Sequence, residues 1–163
     1  LDLNLIRDGV VEHNEQPISL SNCALSRTAI IGIGSPNEGD ELGWQVIDQL
    51  QQQEKIIALK EKGLSVFKLD RPGLLLGECI KDYDHVLIVD AIKPGTGNKS
   101  FVYIDAGHIS PDSVQLSSHE AGVLESIALM KSLCPLPGQL VIVGVADAGK
   151  EITEKIFNII LND

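Results

Sequence analysis

The chain has 163 residues, of which 44% are hydrophobic, 22% charged and 4% aromatic. This composition is typical of one globular domain with a full core, and it excludes a disordered chain or a disulfide-stapled mini-protein. The 23 acidic residues outnumber the 13 basic ones, and the net charge of −10 excludes nucleic acids and anionic membranes as general partners. The longest apolar runs are far shorter than a membrane helix and the start of the chain is unlike a signal peptide, so we predict a cytoplasmic protein.

Two regions of the chain differ in pattern. Residues 1–27 hold scattered apolar side chains among turn-forming residues, which predicts an irregular leader. Over residues 28–163, short apolar runs alternate with amphipathic segments, which predicts a single domain. In chain order, the pattern predicts strands at residues 29–34, 64–69, 85–89, 101–104 and 140–145, and helices at residues 42–53, 74–81, 117–133 and 151–161.

The alternation of strands and helices predicts the architecture. Buried apolar strands joined by amphipathic helices indicate right-handed crossovers and a mostly parallel sheet covered on both faces. The strand at residues 101–104 follows a turn-rich segment and is predicted to lie at an edge. Functional groups in such sheets gather at the carboxyl ends of the strands, which is where we look for chemistry.

The loop after the first predicted strand, residues 34–43, is rich in glycine and acid. Asn37 stands where a dinucleotide fingerprint needs its third glycine, and the Gly-Lys-Ser or Gly-Lys-Thr of a phosphate-binding loop is missing. Glu38, Asp40 and Glu41 also place negative charge at the start of a helix, where a pyrophosphate would be repelled. The loop therefore favours a cation, or a helix cap made by Asp40 or Glu41.

Polar residues lie at three more predicted element ends. Asp70 ends the second strand and Asp90 ends the third, and a carboxylate there is costly to desolvate unless it meets a partner, a metal or solvent. A turn before Pro72 is the alternative for Asp70. His119 lies near the start of the helix predicted at residues 117–133, with a solitary surface histidine as the alternative. A mixed nitrogen and oxygen set at one edge would suit nickel or zinc.

In their order along the chain, these motifs resemble the hydrogenase maturation protease family. Its members are endopeptidases that trim the C-terminal extension of the nickel–iron hydrogenase large subunit. The resemblance covers residues 28–146. Its segments are Gly32-Ile33-Gly34-Ser35-Pro36 with Gly39-Asp40-Glu41, Val89-Asp90-Ala91, Ser118-His119-Glu120 with Gly122, and Val141-Ile142-Val143-Gly144-Val145.

The resemblance implies a fold, a reaction and a metal. The fold is a three-layer α/β sandwich of the phosphorylase/hydrolase-like type. The reaction is cleavage of a hydrogenase large-subunit precursor, and the metal is nickel already inserted in that precursor, at a site that would also accept cadmium or zinc. In the family an acid after the first strand, an aspartate after the third strand and a histidine at a later helix start contact nickel. The last two correspond to Asp90 and His119, which with the first acid form the expected catalytic and metal-binding set.

The first acid has two candidates. Counting forward from Gly34 selects Glu41, whereas counting back from Gly43 selects Asp40, because this loop is one residue shorter than the usual pattern. We prefer Glu41, since the intervening residues align from the Gly34 side. The sequence itself leaves both acids open as ligands.

Two loops depart from the family pattern. Residues 70–73 read Asp-Arg-Pro-Gly where the family commonly has an Asp-Gly-Gly type of turn, and the first loop is shortened. Asp70, Gly34 and Ser35, which the resemblance marks as possible substrate contacts, lie in these loops. The departures motivate a second hypothesis, a divergent non-catalytic metal- or partner-binding module with the same fold. A covalent serine or cysteine mechanism has no motif to support it.

Overall fold

The computed structural model describes residues 27–37, 40–92, 100–109 and 122–161. They form five strands and five helices, with short 3-10 turns at Gly73–Leu75 and Ala106–His108. In chain order the elements are β1 (Thr28–Gly34), α1 (Leu42–Leu50), α2 (Glu54–Glu61), β2 (Ser65–Asp70), α3 (Leu76–Ile80), β3 (His85–Ala91), β4 (Phe101–Asp105), α4 (Val123–Leu133), β5 (Gln139–Val145) and α5 (Lys150–Leu161).

The strands form one mostly parallel sheet in the order β2-β1-β3-β5-β4. Neighbouring strands are parallel except for β4, which pairs antiparallel with β5 at the edge. This confirms the predicted α/β fold and the edge position of the fourth strand. The three central strands are almost fully buried because helices cover both faces.

The helices lie in two layers, one on each face of the sheet. Alternate residues of each strand point to opposite faces, so the central strands feed two separate apolar clusters. One cluster joins the sheet to α3 and α4, and the other joins it to α1, α2 and α5. The three-layer sandwich is therefore set by apolar side chains on both faces of the same strands.

Helix α1 approaches the sheet closely because glycines line the contact. A Cβ added at Gly32 would lie 2.5 Å from the Gly43 carbonyl oxygen. A Cβ added at Gly43 would overlap the Ile33 carbonyl oxygen and lie 2.7 Å from the Val89 carbonyl oxygen. The absence of a side chain at Gly43 thus allows the first turn of α1 to pack against the ends of β1 and β3.

The helices α1, α2 and α4 differ most from the prediction. The helix predicted at residues 42–53 ends at Leu50, and a separate helix, α2, follows. This helix escaped detection because Ile56 is its one buried residue, which leaves no periodic apolar pattern to recognise. Helix α4 begins at Val123 after Gly122, later than the start predicted at residue 117.

Much of the predicted leader lies outside the described residues, so its boundary with the domain stays a prediction. Arg27 is described, and its carbonyl oxygen accepts a hydrogen bond from the Asp84 amide at 2.8 Å. In the part of the chain that the structure describes, no helix combines the length and the apolar character needed to cross a membrane.

Lys131 on α4 holds the turn that follows β4. Its Nζ donates to the carbonyl oxygens of Ala106, Gly107 and Ile109 at 3.1, 2.8 and 2.6 Å. Because these are charge-assisted bonds to backbone, we expect Lys131→Met to lower the free energy of unfolding by about 2 kcal/mol in urea denaturation. Lys60→Met removes an exposed cation whose partner among the described residues is the Gln51 side chain, and its effect should stay below about 0.5 kcal/mol. Equal losses in the two variants would contradict this role of Lys131.

Candidate active site

The carboxyl ends of β1 and β3 form the natural crevice of this sheet. The chain leaves β1 toward β2 on one side, whereas after β3 it continues to β4 and β5 on the other side. Connections that diverge in this way leave an opening above the two strand ends, where open α/β sheets place their ligands. The first turn of α1 lies beside this opening, because Gly43 contacts both strands.

The loop after β1 folds back on the strand that precedes it. The Ser35 amide donates to the Asp40 carbonyl oxygen at 3.0 Å, and the Asp40 amide donates to the Asn37 carbonyl oxygen at 3.1 Å. A Cβ at Gly34 would lie 2.6 Å from the same Asp40 oxygen, so glycine permits this closure. The tight loop places Asp40, which is partly exposed, against the end of β1.

Asp90 lies inside β3, one residue before its end, which corrects the prediction that it follows the strand. It is only 6% exposed, and its Oδ1 accepts a hydrogen bond from the Ala91 amide at 2.9 Å. Burial raises the pKa of the Asp90 carboxyl above its ordinary value, and the negative charge of Asp40 adds to this increase. The charge of Asp40 therefore makes ionisation of the buried Asp90 carboxyl more costly.

Glu41 stands at the N-cap position of α1 with its side chain exposed. Its carboxylate makes no capping hydrogen bond, so the capping alternative does not hold for Glu41. Its carbonyl oxygen accepts the first helical bond from Gln45 at 3.0 Å. The side chain of Glu41 thus remains available at the rim of the opening.

The residues predicted as possible substrate contacts differ in exposure. Ser35 is fully buried, and its Oγ accepts a hydrogen bond from the Asn37 amide at 3.3 Å. Asp70 ends β2 opposite Gly34 of β1, and its side chain is 55% exposed. Gly34 therefore borders the crevice, Asp70 lies one strand farther out on β2, and the Ser35 hydroxyl stabilises the loop from inside. Their roles as substrate contacts stay predictions.

His119 lies outside the described residues, so its predicted role is carried forward as a prediction. Among the described residues, no group of three or more histidine, cysteine or acidic side chains is arranged to hold a metal. Asp90 lies two residues after Ile88 in β3, so both side chains point to the same face of the sheet. This face is the one covered by α3 and α4. Helix α4, which covers this face, begins four residues after His119 in the sequence.

Glu125 is a buried acid that the sequence pattern did not single out. It is 6% exposed and lies in the first turn of α4, where a Cβ added at Gly122 would lie 2.7 Å from its Oε2. An acid in the first turn complements the helix dipole, and this position was the one signal available in the sequence. In the sequence, Glu125 lies among apolar residues that indicate a buried helix, so the acid does not stand out.

Comparisons with known proteins agree with this geometry. A family model described as hydrogenase maturation protease matches residues 70–158, slightly more than half of the chain. The fold is similar to that of the hydrogenase maturating endopeptidase HybD from E. coli, with 18% identity, 73% coverage of each chain and a TM-score of 0.53. It is also similar to the [NiFe] hydrogenase maturation protease HycI from Thermococcus kodakarensis KOD1, with 19% identity, coverage of 80% of this chain and 85% of that one, and a TM-score of 0.50. A search of curated proteins found no match.

Proposed function

The chain belongs to the hydrogenase maturation protease family, and we propose that it removes the C-terminal extension of a nickel–iron hydrogenase large subunit after nickel insertion. One observation carries this proposal beyond family membership. Asp90 is a buried acid at the carboxyl edge of the sheet, and it lies within electrostatic reach of Asp40 at the switch point. Two carboxylates held together in this way favour binding of a cation, because the cation relieves their repulsion.

In this proposal the nickel ion belongs to the precursor and arrives with it. Asp90 and an acid of the first loop supply oxygen ligands, and His119 supplies the nitrogen ligand. The ion marks a precursor that is ready for cleavage, and it positions the scissile peptide bond beside the two carboxylates. The Asp90 carboxylate has two oxygens, so it can bind the ion and also accept a proton from the attacking water, which makes Asp90 the candidate general base.

Two observations support Asp40 over Glu41 as the ligand that acts together with Asp90. The negative charge of Asp40 contributes to the raised pKa of Asp90, and Asp40 is partly buried whereas the Glu41 side chain is exposed. Both ends of the loop are packed, since Gly34 lies in β1 and Gly43 contacts β1 and β3, so the count along the sequence favours neither acid. We therefore assign the ligand role to Asp40 and give Glu41 an accessory position at the rim.

The direct test is cleavage of a nickel-loaded large-subunit precursor from the source organism. We expect the purified protein to shorten the precursor at its C-terminal end, measured by intact mass, and to leave the nickel-free precursor uncut. A family member that cuts the same precursor serves as the positive control. If that enzyme cuts and this protein does not, the protease proposal fails and the non-catalytic binding module takes its place.

A pair of variants separates the two first-loop acids. We expect Asp40→Asn to lower kcat/KM for the nickel-loaded precursor by about 100-fold, because it removes a ligand beside Asp90, whereas Glu41→Gln should lower it less than fivefold. The Tm measured with and without cadmium tests independently which acid binds the ion. The ion should raise the Tm of the wild type and of Glu41→Gln, and it should leave the Tm of Asp40→Asn unchanged. The reverse pattern would assign the ligand to Glu41.

A further inference from the structure

The turn after β2 contains a strained residue with a positive charge. Arg71 has a φ of 35°, in the left-handed region that favours glycine, and the other described residues with positive φ, Gly63 and Gly73, are glycines. A side chain in this conformation costs free energy that a glycine would avoid. Arginine at this position is therefore unexplained by the local fold.

Neighbouring strands hold Arg71 in place. The Arg71 amide donates to the Gly34 carbonyl oxygen at 3.1 Å, directly beyond the register pair of Gly34 and Asp70. This bond extends the β1–β2 pairing by one residue, to the edge where the loop of Asp40 begins. The strained turn and the candidate active site therefore share one backbone framework.

The Arg71 side chain is available to a ligand. It is 54% exposed, and its Nε donates to Asp70 Oδ1 at 3.1 Å. Within the described residues its two Nη nitrogens donate to no partner, so the planar end of the guanidinium keeps its capacity for a bidentate bond. The Arg71 amide bonds Gly34, where the loop of Asp40 and Glu41 begins, so Arg71 brings a positive charge to the side of this acidic loop.

The same turn exposes apolar surface. Leu74 is 61% exposed and Leu75 is 69% exposed, although large apolar side chains of this chain are mostly buried. Two adjacent exposed leucines beside an exposed arginine fit a peptide segment better than a small ion, because a peptide offers apolar and charged groups together. The turn at residues 70–75 thus combines the two kinds of contact that peptide recognition uses.

We propose that Arg71 is a specificity residue that binds a carboxylate of the precursor's C-terminal extension, with Leu74 and Leu75 packing against its apolar side chains. This inference rests on the proposed function, since it names how the same substrate is recognised. The carboxylate is either the α-carboxylate at the end of the extension or an acidic side chain within it. In both cases the guanidinium orients the peptide so that the scissile bond faces Asp90.

The test compares steady-state cleavage by the wild type with cleavage by Arg71→Gly and Arg71→Lys, using the nickel-loaded precursor. Arg71→Gly should raise KM about tenfold and change kcat less than twofold, and Arg71→Lys should lie between it and the wild type. The Tm of Arg71→Gly should equal or exceed that of the wild type, because glycine relieves the strain. Lys60→Ala removes a distant positive charge as the control and should leave KM unchanged.

Modified substrates identify the carboxylate. One precursor carries Asn and Gln in place of the Asp and Glu of its extension, and another carries a Gly-Ser tail that moves the terminal carboxylate away. The precursor that lacks the recognised carboxylate should show equal KM values with the wild type and Arg71→Gly. A tenfold KM difference that persists with both precursors would overturn the proposal, as would an unchanged KM for Arg71→Gly with the native precursor.

Peptide binding separates this inference from the proposed function. A fluorescein-labelled peptide with the sequence of the extension is titrated with the wild type and with Arg71→Gly, followed by anisotropy. About tenfold weaker binding to Arg71→Gly supports carboxylate recognition even if the wild type cuts no precursor, which is the outcome that defeats the proposed function. Cleavage by the wild type with equal peptide affinity of both proteins overturns the inference and leaves the proposed function standing.

Discussion

Asp90→Asn is expected to lower cleavage of the nickel-loaded precursor by at least about 100-fold while the protein stays folded. The substitution keeps the size of the side chain, and its oxygen can still accept the hydrogen bond from the Ala91 amide. It removes the negative charge that binds a cation and the group that accepts a proton from water. The measurement is kcat/KM for the precursor, together with the far-UV circular dichroism and Tm of the variant.

The same variant should be at least as stable as the wild type at neutral pH. The folded protein raises the pKa of the Asp90 carboxyl, mainly through burial, so it binds this proton more tightly than the unfolded chain does. Below about pH 3.9, the pKa of an aspartate in the unfolded chain, the Asp90 carboxyl is protonated in both the folded and the unfolded state. Its ionisation then does not lower the free energy of unfolding. As the pH rises toward the folded pKa, the unfolded state ionises first and the wild type loses stability. The advantage of Asn over Asp should therefore be small near pH 3 and grow toward pH 7.

Asp105→Asn provides the matched control for Asp90→Asn. Asp105 Oδ1 also accepts a backbone hydrogen bond, from Gly107 at 2.7 Å, but it lies at the end of the antiparallel strand β4, on the opposite edge of the sheet. Cleavage by Asp105→Asn should stay within twofold of the wild type. Similar activity of Asp90→Asn and the wild type would remove Asp90 from the chemistry and leave its burial as a feature of the fold alone.

A gain in stability together with a loss of activity would explain why an acid is kept at the end of a buried strand. Desolvation of the Asp90 carboxylate opposes folding, and repulsion from Asp40 adds to this cost. A structural residue in this position would be expected to be neutral or apolar, like the neighbouring residues of β3. A site that receives a cation with its substrate gains from the same arrangement, because binding relieves the repulsion at the moment when the ligands are needed.

The sheet could be predicted from the sequence because its central strands are buried on both faces. β1, β3 and β5 read as short apolar runs rich in β-branched residues, and such runs have few alternatives in a chain of alternating strands and helices. Helix α2 could not be predicted, since a helix that buries Ile56 alone carries almost no pattern. Tertiary packing fixes such an element, and a local sequence signal does not.

The candidate site was predictable in its residue types and less so in its register. Asp90 was identified because a charged residue in an apolar strand needs an explanation. The choice between Asp40 and Glu41 depends on where the first loop lacks a residue relative to the family pattern. Counting forward from Gly34 selects Glu41, whereas counting back from Gly43 selects Asp40. Backbone packing holds both ends of this loop, so the proposed choice of Asp40 rests on its partial burial and on the effect of its charge on Asp90. Arg71 was passed over because its backbone conformation is invisible in the sequence.

Gly43→Ala is expected to destabilise the fold by about 3 kcal/mol, although alanine is the better helix former. The added Cβ would overlap the Ile33 carbonyl oxygen and lie 2.7 Å from that of Val89, and both atoms belong to central strands that cannot move aside. Helix α1 would have to shift away from the sheet, which would open the apolar cluster around Val46 and Ile47. The measurement is the free energy of unfolding in urea.

Gly77→Ala separates this overlap from the general effect of a helical glycine. A Cβ at Gly77 in α3 would meet only the flexible Met130 side chain, with Sδ at 3.5 Å, which is ordinary contact. This variant should therefore be neutral or more stable by up to ~1 kcal/mol, because alanine reduces the entropy of the unfolded chain and favours the helix. The two variants make the same chemical change with opposite expected signs. A stable Gly43→Ala protein would show that α1 can move away from the ends of β1 and β3.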